Sequence, residues 1–545
     1  MRDQKGITLV ALIITIIVLL VLAIVSINLV MNGGIIGRAE KGTDSFIEAE
    51  IKEKVNLAYK EWVMKNFEGQ DKTLKELVEE RLNEYYGDEN VEVTEMGKGI
   101  VTQVTQNGKV YEYTLMPDGS MEEGKFAYLD IADGNIDLYS NGYKQYTGNL
   151  QNLNKNGATA YNGKYVITGT TTENVVRVCD TGNYDITIKD LSIDARDSNY
   201  CAFNANKGRK TIGCFVNIIL EGNNNLKGGN GPGLGWVGAT PNISGTTNGS
   251  TLTIDGDGYL EVYGGNMQWT SAIGNCYSGG DASGDTNNII INGGNIYAKG
   301  STNGSGIGGA LYKKTNNIVI NGGNIEAIGT NVSAGIGAAG GFADNITING
   351  GKIIAKASLG PGIGGGTNSG TFKVTGGKIY AEGCNNKNFS GAAIANGMQN
   401  VIIEGGTIIT KSQQHEGIFK NETTNVRITG GNLKLGGIGN IGALDSNKNF
   451  VQGYSTDGTN NLYETQIKLQ GVEKDKQVTK LTTSDNINYG IKDMYTLDDG
   501  MLYLYLPKTA ENETRTISIE VDGKTYSGSV QTTEIPEVVI LNEAN

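Results

Sequence analysis

Histidine is almost missing from this chain of 545 residues, since His415 is the only one. A single histidine excludes zinc sites built on several histidines. Without a nucleophile-elbow motif it also argues against a Ser-His-Asp triad. We interpret His415, within SQQHEG, as a surface loop residue.

Basic charge is also scarce, because the net charge is −13 at neutral pH. Nucleic-acid binding needs clustered lysine and arginine against phosphates, so the composition argues against a nucleic-acid partner. The five cysteines form no C-x-x-C pair, and their odd number leaves at least one thiol unpaired or paired between chains. Scattered small core residues are our default interpretation, and a disulfide among Cys179, Cys201 and Cys214 is the alternative.

Glycine is abundant, with 81 glycines against 6 prolines. The absence of a G-X-Y period excludes collagen, and the excess of glycine indicates tight turns repeated many times.

The first long segment is apolar from Ile7 to Met31, and no charge occurs between Lys5 and Arg38. About 20 apolar residues suffice for a helix to cross a bilayer. No A-x-A cleavage pattern follows the segment, which weakens a secretory signal peptide. We therefore predict a transmembrane helix over 7–37.

The residues around Gly6 refine this prediction. MRDQKG followed at once by Ile7-Thr8-Leu9 resembles the prepilin signal of type IV pilins and pseudopilins, over roughly residues 1–65. The resemblance implies a leader at 1–6, cleavage after Gly6 by a prepilin peptidase, and a methylated amino terminus at Ile7. It also implies a single pass through the cell membrane with the bulk of the chain outside, and the basic leader fits the cytoplasmic side. A signal-anchor helix that happens to follow a glycine is the alternative.

One residue departs from the pilin pattern. Pilins that form filaments usually have Glu at the fifth mature position, where it neutralises a neighbour's amino terminus, and here that position is Ala11. An uncompensated buried ammonium is costly, so polymerisation with other pilins is in doubt while membrane anchoring is not.

Residues 38–125 read as a small α+β unit that resembles a pilin head. Apolar residues at helical spacing predict a helix over 43–66, and Thr73 is a candidate cap for a second helix, TLKELVEERLNEYY. Asn107-Gly108 between two alternating runs indicates a β-hairpin.

The middle of the chain is a repeat of two alternating runs divided by a Gly-Gly turn, as in NIIINGGNIYAKG. The first glycine of each pair falls at 293, 322, 350, 376, 405 and 430. A third short run follows the two alternating runs. Its central residue is Ile273, Ile307, Ile336, Ile363 or Ile394. Three short strands in each repeat predict a right-handed parallel β-helix over 126–445, in a chain that is mainly β.

Period-2 alternation assigns the faces of these strands. Two apolar columns of the first strand point inward: Ile289, Ile318, Ile346, Phe372, Val401 and Val426, then Ile291, Ile320, Ile348, Val374, Ile403 and Ile428. The residue before that strand is Asn in five of the six repeats, with Thr371 the exception, and stacked amides there can hydrogen-bond between coils. After the repeat, residues 446–545 predict a β-sandwich-like domain that covers the open end of the solenoid.

Catalysis finds little support in the repeat. A hydrolase needs paired carboxylates, yet Asp344 is the only aspartate between Thr286 and Leu444, and Glu326, Glu382 and Glu404 lie on different coils. Asp255 and Asp257 could ligate calcium, although turn residues are the commoner role for such a pair.

The segment from LDIADGNIDLYSNGYKQYTG through YVITGT and the GIGG repeats resembles the β-helical carbohydrate-binding-domain proteins of Gram-positive bacterial surfaces, over roughly 128–440. The resemblance implies binding of acidic glycans, in some members with calcium, and offers no binding motif that transfers residue by residue.

The second strand of each repeat gives the candidate binding face. Tyr297 and Tyr380 point outward beside a column with Lys299, Lys356 and Lys411, which suits stacking on sugar rings and pairing with sugar carboxylates. A solvated sheet face is the alternative.

We thus predict a membrane-anchored, pilin-like cell-surface protein, not an enzyme, whose β-helix binds polysaccharide or mediates adhesion. The alternatives are a minor pilin with the β-helix as a structural spacer and, third, a polysaccharide lyase-like enzyme.

Overall fold

The computed structural model describes residues 35–66, 72–150, 153–206, 213–237, 249–276, 285–310, 313–338, 341, 343–365, 370–384, 391–413, 415–418, 424–437, 441 and 462–544, with side chains from Thr43 onward. The fold is mainly β, with 51% strand against 11% helix. Two compact units divide the chain, Met1–Ala127 and Tyr128–Asn545. The finer division of the chain into segments 1–6, 7–37, 38–125, 126–445 and 446–545 stays a prediction.

Two helices open the first unit. Helix α1 (Ile35–Asn66) begins earlier than the predicted 43 and includes Gly37 and Gly42. Helix α2 (Leu74–Tyr86) has the predicted cap, since Thr73 accepts from the Glu76 amide and the Glu76 side chain accepts from the Thr73 amide. Ile51, Val55, Val78 and Leu82 of these helices are buried in one core with strand residues.

An antiparallel sheet completes this unit, after a 3₁₀ turn at Asp88–Asn90. Its strands are Val91–Met96, Gly99–Gln106, Lys109–Leu115 and Met121–Glu123, in that order. Asn107 and Gly108 both have positive φ, 54° and 77°, which confirms the predicted hairpin turn.

The second unit contains parallel strands that we group into three rows. Row 1, the first strand of each repeat, comprises Gly182–Asp194, Cys214–Glu221, Thr251–Gly256, Thr286–Ile291, Thr315–Ile320, Ala343–Ile348, Thr371–Val374, Asn400–Ile403 and Asn425–Ile428. Row 2, the second strand, comprises Asn223–Lys227, Tyr259–Tyr263, Asn295–Lys299, Asn324–Gly329, Lys352–Ala357, Lys378–Glu382, Thr407–Lys411 and Asn432–Lys434. Row 3 comprises Val176–Val178, Phe203–Asn204, Leu234–Gly235, Ile273–Gly274, Ile307–Gly309, Ile336–Ala338 and Ile363–Gly364.

Each coil pairs in parallel with the next in all three rows, for example Ile318 with Ile346 in row 1 and Ile307 with Ile336 in row 3. The large parallel sheet is that of a β-helix-like fold. Single bridges continue row 3 through Ile394, Ile418 and Ile441. Both predicted inward columns of row 1 are buried, with no member more than 2% exposed. Period 2 thus assigned these faces correctly.

The turn between rows 1 and 2 is ordered by stacked asparagines. Asn321 Nδ2 donates to Asn292 Oδ1 at 2.8 Å, and Asn349 Nδ2 donates to Asn321 Oδ1 at 2.9 Å. At the predicted corner before row 1, Asn317 donates to Asn288 at 2.7 Å and Asn425 donates to Asn400 at 3.2 Å. Asn345 instead donates to Asn316, so that ladder is only partly continuous.

The first coil is closed by three consecutive antiparallel strands. They are Asn135–Tyr139, Gly142–Tyr146 and Thr159–Ala160, near the further strands Phe126–Asp130 and Lys164–Thr171 and a 3₁₀ turn at Ile131–Asp133. Buried Arg177 donates from Nε and Nη2 to the two Asp137 carboxylate oxygens, each at 2.6 Å. Such a buried pair is tolerated because both charges are hydrogen-bonded.

The C-terminal strands form one six-stranded sheet. They are Leu462–Leu469, Val478–Thr483, Met501–Pro507, Arg515–Val521, Lys524–Val530 and Val538–Glu543, with a 3₁₀ turn at Asp498–Gly500. This region packs against the last coil, where the Tyr503 amide donates to Asn432 Oδ1 at 2.7 Å. It also lies along the Gly-Gly turns of several coils, which the sequence did not predict.

All five cysteines belong to the described part of the chain, where each is buried and none is joined in a disulfide. The default interpretation of small core residues is therefore confirmed, and the alternative disulfide among the first three is wrong in this structure.

Candidate polysaccharide-binding face

The outward side of row 2 is an extended face on which side chains of successive coils stand in register. In its central column, Glu261 pairs with Tyr297, Tyr297 with Glu326, and Ile354 with Tyr380. Coils are about 4.8 Å apart along this face, the spacing of hydrogen-bonded strands. A long polymer could therefore contact several coils at once.

Three tyrosines cluster at the start of this face. The Tyr263 and Tyr297 ring centroids are 5.9 Å apart and the rings are tilted by 58°. Tyr259 is 39% exposed, and it lines an open groove of about 350 Å³ with Tyr297, Asn324, Glu326 and Lys352. We call Tyr259, Tyr263 and Tyr297 the tyrosine cluster. Exposed Tyr259 and half-buried Tyr263 and Tyr297 present aromatic surface that suits stacking against sugars.

Glu261 is held in place within the cluster. One of its oxygens accepts from Tyr263 Oη at 2.5 Å and the other accepts from Asn225 Nδ2 at 2.6 Å. The hydrogen bond with Glu261 raises the pKa of Tyr263, and burial raises it further. Glu261 of its own strand therefore orients the Tyr263 hydroxyl, and Asn225 of the preceding coil holds Glu261 in turn.

The predicted lysines differ in their partners. Lys356 Nζ donates to Glu326 at 2.9 Å, and Lys411 Nζ lies 3.3 Å from Glu382. The bond to Glu326 raises the pKa of Lys356, so this lysine is a cation that is already paired. Within the described residues, Lys299 forms no ion pair, and neither does Lys352, which the sequence analysis did not single out.

Charge on this face is opposite to that of the whole chain. The row 2 strands contain seven lysines and three glutamates, whereas the net charge of the chain is −13. The lysine excess belongs to row 2 as a whole, because the strands that hold the tyrosine cluster and the next coil contain one lysine, Lys299, and two glutamates, Glu261 and Glu326. An excess of lysine along the row favours an anionic ligand.

Tyr380 lies further along the face, where the surroundings change. Its hydroxyl donates to Glu382 at 3.3 Å, and burial raises its pKa. The adjacent Lys378 lies 3.8 Å from the Tyr495 ring centroid and 3.2 Å from Asp475, both of the C-terminal region. Tyr297 and Tyr380 are therefore on one face but three coils apart, and only Tyr297 belongs to the cluster.

Tyr259 and Tyr263 were missed by sequence reasoning, although the signal was present. They occur in YLEVY, where Leu260 and Val262 are the buried alternates. That segment departs from the INGG pattern of the later repeats, so its outward residues were not aligned with Tyr297.

Asp255 and Asp257, the candidate calcium ligands, occupy a turn. Asp255 Oδ1 accepts from the Gly256 amide at 2.8 Å, and the Asp257 carbonyl accepts from Asn295 at 2.8 Å. Among the residues that the structure describes, no group of three or more His, Cys, Asp or Glu is placed to hold a metal ion. Calcium binding stays a prediction.

Two tryptophans of the earlier coils differ in their burial. Trp236 is fully buried and its Nε1 donates to the Asn287 carbonyl at 2.6 Å, so it is a core residue. Trp269 is half-buried, with a φ of 64°.

The processing residues Gly6 and Ile7, together with Ala11 and the apolar segment, lie outside the described residues. Within the described ranges, no helix is both long enough and apolar enough to cross a membrane.

Comparison with known proteins gave no match to this chain among family models, curated proteins or solved structures.

Proposed function

We propose that this is a membrane-anchored, pilin-like cell-surface protein whose β-helix binds an anionic polysaccharide along the row 2 face. The tyrosine cluster is the observation that supports this function: Tyr259 and Tyr297 line a groove with Lys352, and Tyr263 pairs in register with Lys299 of the next coil. Tyrosine rings would stack on sugar rings, and ammonium groups would pair with sugar carboxylates. We also propose that the β-helix winds in the right-handed sense and that the C-terminal strands form a β-sandwich-like domain.

The non-catalytic interpretation rests on the carboxylates of this face. Glu261, Glu326 and Glu382 stand on three different, non-adjacent coils, and each is engaged by lysine, tyrosine or asparagine. A glycoside hydrolase instead needs two carboxylates that face each other across the scissile bond. We therefore favour binding over hydrolysis or elimination.

A glycan array probed with the purified full chain, with and without calcium, tests the function. We expect binding to polymers that bear carboxylates and weaker binding to their carboxyl-reduced forms. Tyr297→Ala with Tyr380→Ala should weaken binding by about 1 kcal/mol or more, the scale of a lost aromatic contact, with little change in melting temperature.

Variants locate the site on the face. Tyr263→Ala with Tyr297→Ala should weaken binding more than the Tyr297 and Tyr380 pair, because the first two rings are in contact. Tyr463→Ala, on a C-terminal strand, is the matched control. Undiminished affinity in folded cluster variants would favour the structural spacer instead.

A further inference from the structure

One outward column of row 2 has a lysine on every second coil. The residues of this column pair in register from each coil to the next, and each points outward because the residue before it is buried. In chain order the column reads Lys227, Tyr263, Lys299, Ile328, Lys356, Glu382 and Lys411. We call these seven residues the alternating column.

The alternation gives the cations a regular spacing. Coils are about 4.8 Å apart, so successive lysines of the alternating column are about 9.6 Å apart and the four of them span about 29 Å. The other three lysines of row 2 lie in other columns, and two of them lie over tyrosine rings of the C-terminal region. Within the described strands of row 2, the regular spacing therefore belongs to this column.

Three of the four lysines are held by a carboxylate of the preceding coil. The pairs are Lys227 with Asp194 at 3.8 Å, Lys356 with Glu326 at 2.9 Å and Lys411 with Glu382 at 3.3 Å. Because all three partners lie on the same side, these ammonium groups lean in one direction and keep their spacing. Exposed ion pairs are worth about 1 kcal/mol or less, so the carboxylates of a bound ligand can compete for these lysines.

The residues between the lysines do not favour an anionic group. Tyr263 presents a ring, whose centroid is 5.9 Å from Lys227 Nζ. Ile328 is apolar and half-buried, and Glu382 has a carboxylate of its own. A ligand carboxylate opposite Ile328 would lose water without gaining a partner, and one opposite Glu382 would meet a like charge. Positions that favour an anion thus alternate with positions that disfavour one.

We propose that the row 2 face recognises an extended polysaccharide that presents one carboxylate to the protein for every two sugars. The height of one coil, about 4.8 Å, is close to the length of one sugar in an extended chain, so such carboxylates recur at the spacing of the lysines. Two polymers share this chemistry. One alternates a uronic acid with a neutral sugar, and the other is a uronic acid homopolymer whose successive sugars face opposite sides. The inference rests on the proposed polysaccharide binding and adds the repeat of the ligand.

An exchange of two neighbours in the alternating column tests the spacing at constant charge. Ile328→Lys with Lys356→Ile moves one lysine by one coil and leaves composition and net charge unchanged. Thr347→Lys with Lys373→Thr is the matched control, because it moves a lysine by one coil on the outward side of row 1. Lys356→Arg keeps the cation in place and should bind like the unaltered chain.

Calorimetric titration of the full chain would measure binding of two octasaccharides. One is from hyaluronan, which alternates a uronic acid with a neutral sugar, and the other is octagalacturonate, which is acidic throughout. The row 2 exchange should weaken binding about two- to fivefold, the scale of an exposed charge pair, and the row 1 exchange should have no effect. With hyaluronan fragments, affinity should rise with each added pair of sugars up to eight sugars, which reach all four lysines.

The outcomes separate this inference from the function on which it rests. Weaker binding of either octasaccharide by the row 2 exchange supports the inference, and the octasaccharide that the unaltered chain binds more tightly identifies the polymer. Undiminished affinity of the folded row 2 exchange for both octasaccharides would overturn the inference and leave polysaccharide binding intact. An unaltered chain that binds neither octasaccharide would overturn both.

Discussion

Glu326 determines how much of the positive charge on row 2 is available to a ligand. Its carboxylate accepts from Lys356 at 2.9 Å, and the two side chains are 35% and 39% exposed. Glu326→Gln removes a negative charge and releases Lys356. We expect anionic polysaccharide to bind about two- to fivefold more tightly, measured by calorimetric titration, because one more cation becomes available.

A matched residue beside row 1 controls for this effect. Glu404 directly follows the strand Asn400–Ile403, is similarly exposed, and pairs with Lys373 at 2.9 Å and with Arg427 at 3.7 Å. Glu404→Gln should leave polysaccharide affinity unchanged if the ligand contacts row 2. Tighter binding in both variants would mean that general charge, and not the row 2 face, controls affinity.

Glu61 makes the first unit sensitive to acid. Hydrogen bonds from Lys65 and then Arg81 lower its pKa from the ordinary 4.5 to about 2. A carboxyl group with a depressed folded pKa contributes stability above its unfolded pKa and loses it as pH falls through the folded value. The first unit should therefore lose about 1 kcal/mol between pH of about 4.5 and 2, after allowance for solvent screening.

Hydrogen exchange of peptides from residues 72–115 would measure this loss. In Glu61→Gln the dependence over that pH range should become flatter, whereas Glu79→Gln should leave it intact. An unchanged profile in Glu61→Gln would show that other carboxyl groups are responsible.

The row 1 strands are stabilised by their inward columns. Ile320 is completely buried and pairs in register with Ile291 and Ile348 of the adjacent coils. Ile320→Ala should lower the free energy of unfolding by about 2–5 kcal/mol, because it leaves a cavity in a packed column. Val319 points outward from the same strand, so Val319→Ala should cost less than about 1 kcal/mol in the same denaturant titration. Equal costs would contradict the assigned faces.

These strands and their inward columns could be predicted from the sequence, because the alternation of apolar and polar residues and the Gly-Gly turn are local signals. The α2 cap and the Asn107-Gly108 turn are local in the same way. The ion pair between Lys356 and Glu326 could not be predicted from the sequence, because it depends on which side chains become neighbours when adjacent coils stack. Neither could the contact of Lys492 with the Gly-Gly turns, where its carbonyl accepts from the Gly406 amide at 2.7 Å, because the two residues lie far apart along the chain. The tyrosine cluster was only partly predictable. YLEVY alternates as a strand should, but the INGG motif that aligns the later repeats is missing before it.

For the whole molecule, anchoring depends on residues at the start of the chain. If the prepilin interpretation holds, mass spectrometry of membrane-derived protein should find an amino terminus at Ile7, and Gly6→Leu should abolish cleavage. Recovery of an intact Met1, or of a cut near Asn32, would contradict processing by a prepilin peptidase. Polysaccharide binding by the row 2 face is tested separately, whichever result is found.

Assembly is a separate property that depends on Ala11. Inside a filament, the new amino terminus at Ile7 would be an ammonium in apolar surroundings, and without Glu at position 11 nothing in the neighbouring chain compensates it. An isolated charge of this kind is costly to bury. The protein expressed alone should therefore stay in the membrane, and it should enter filaments only as a minor subunit beside a Glu-bearing pilin. Ala11→Glu should increase incorporation when such a pilin is present, with Ala11→Gln as the uncharged control, both measured by immunogold electron microscopy. Fibres formed by the unaltered chain alone would contradict this prediction.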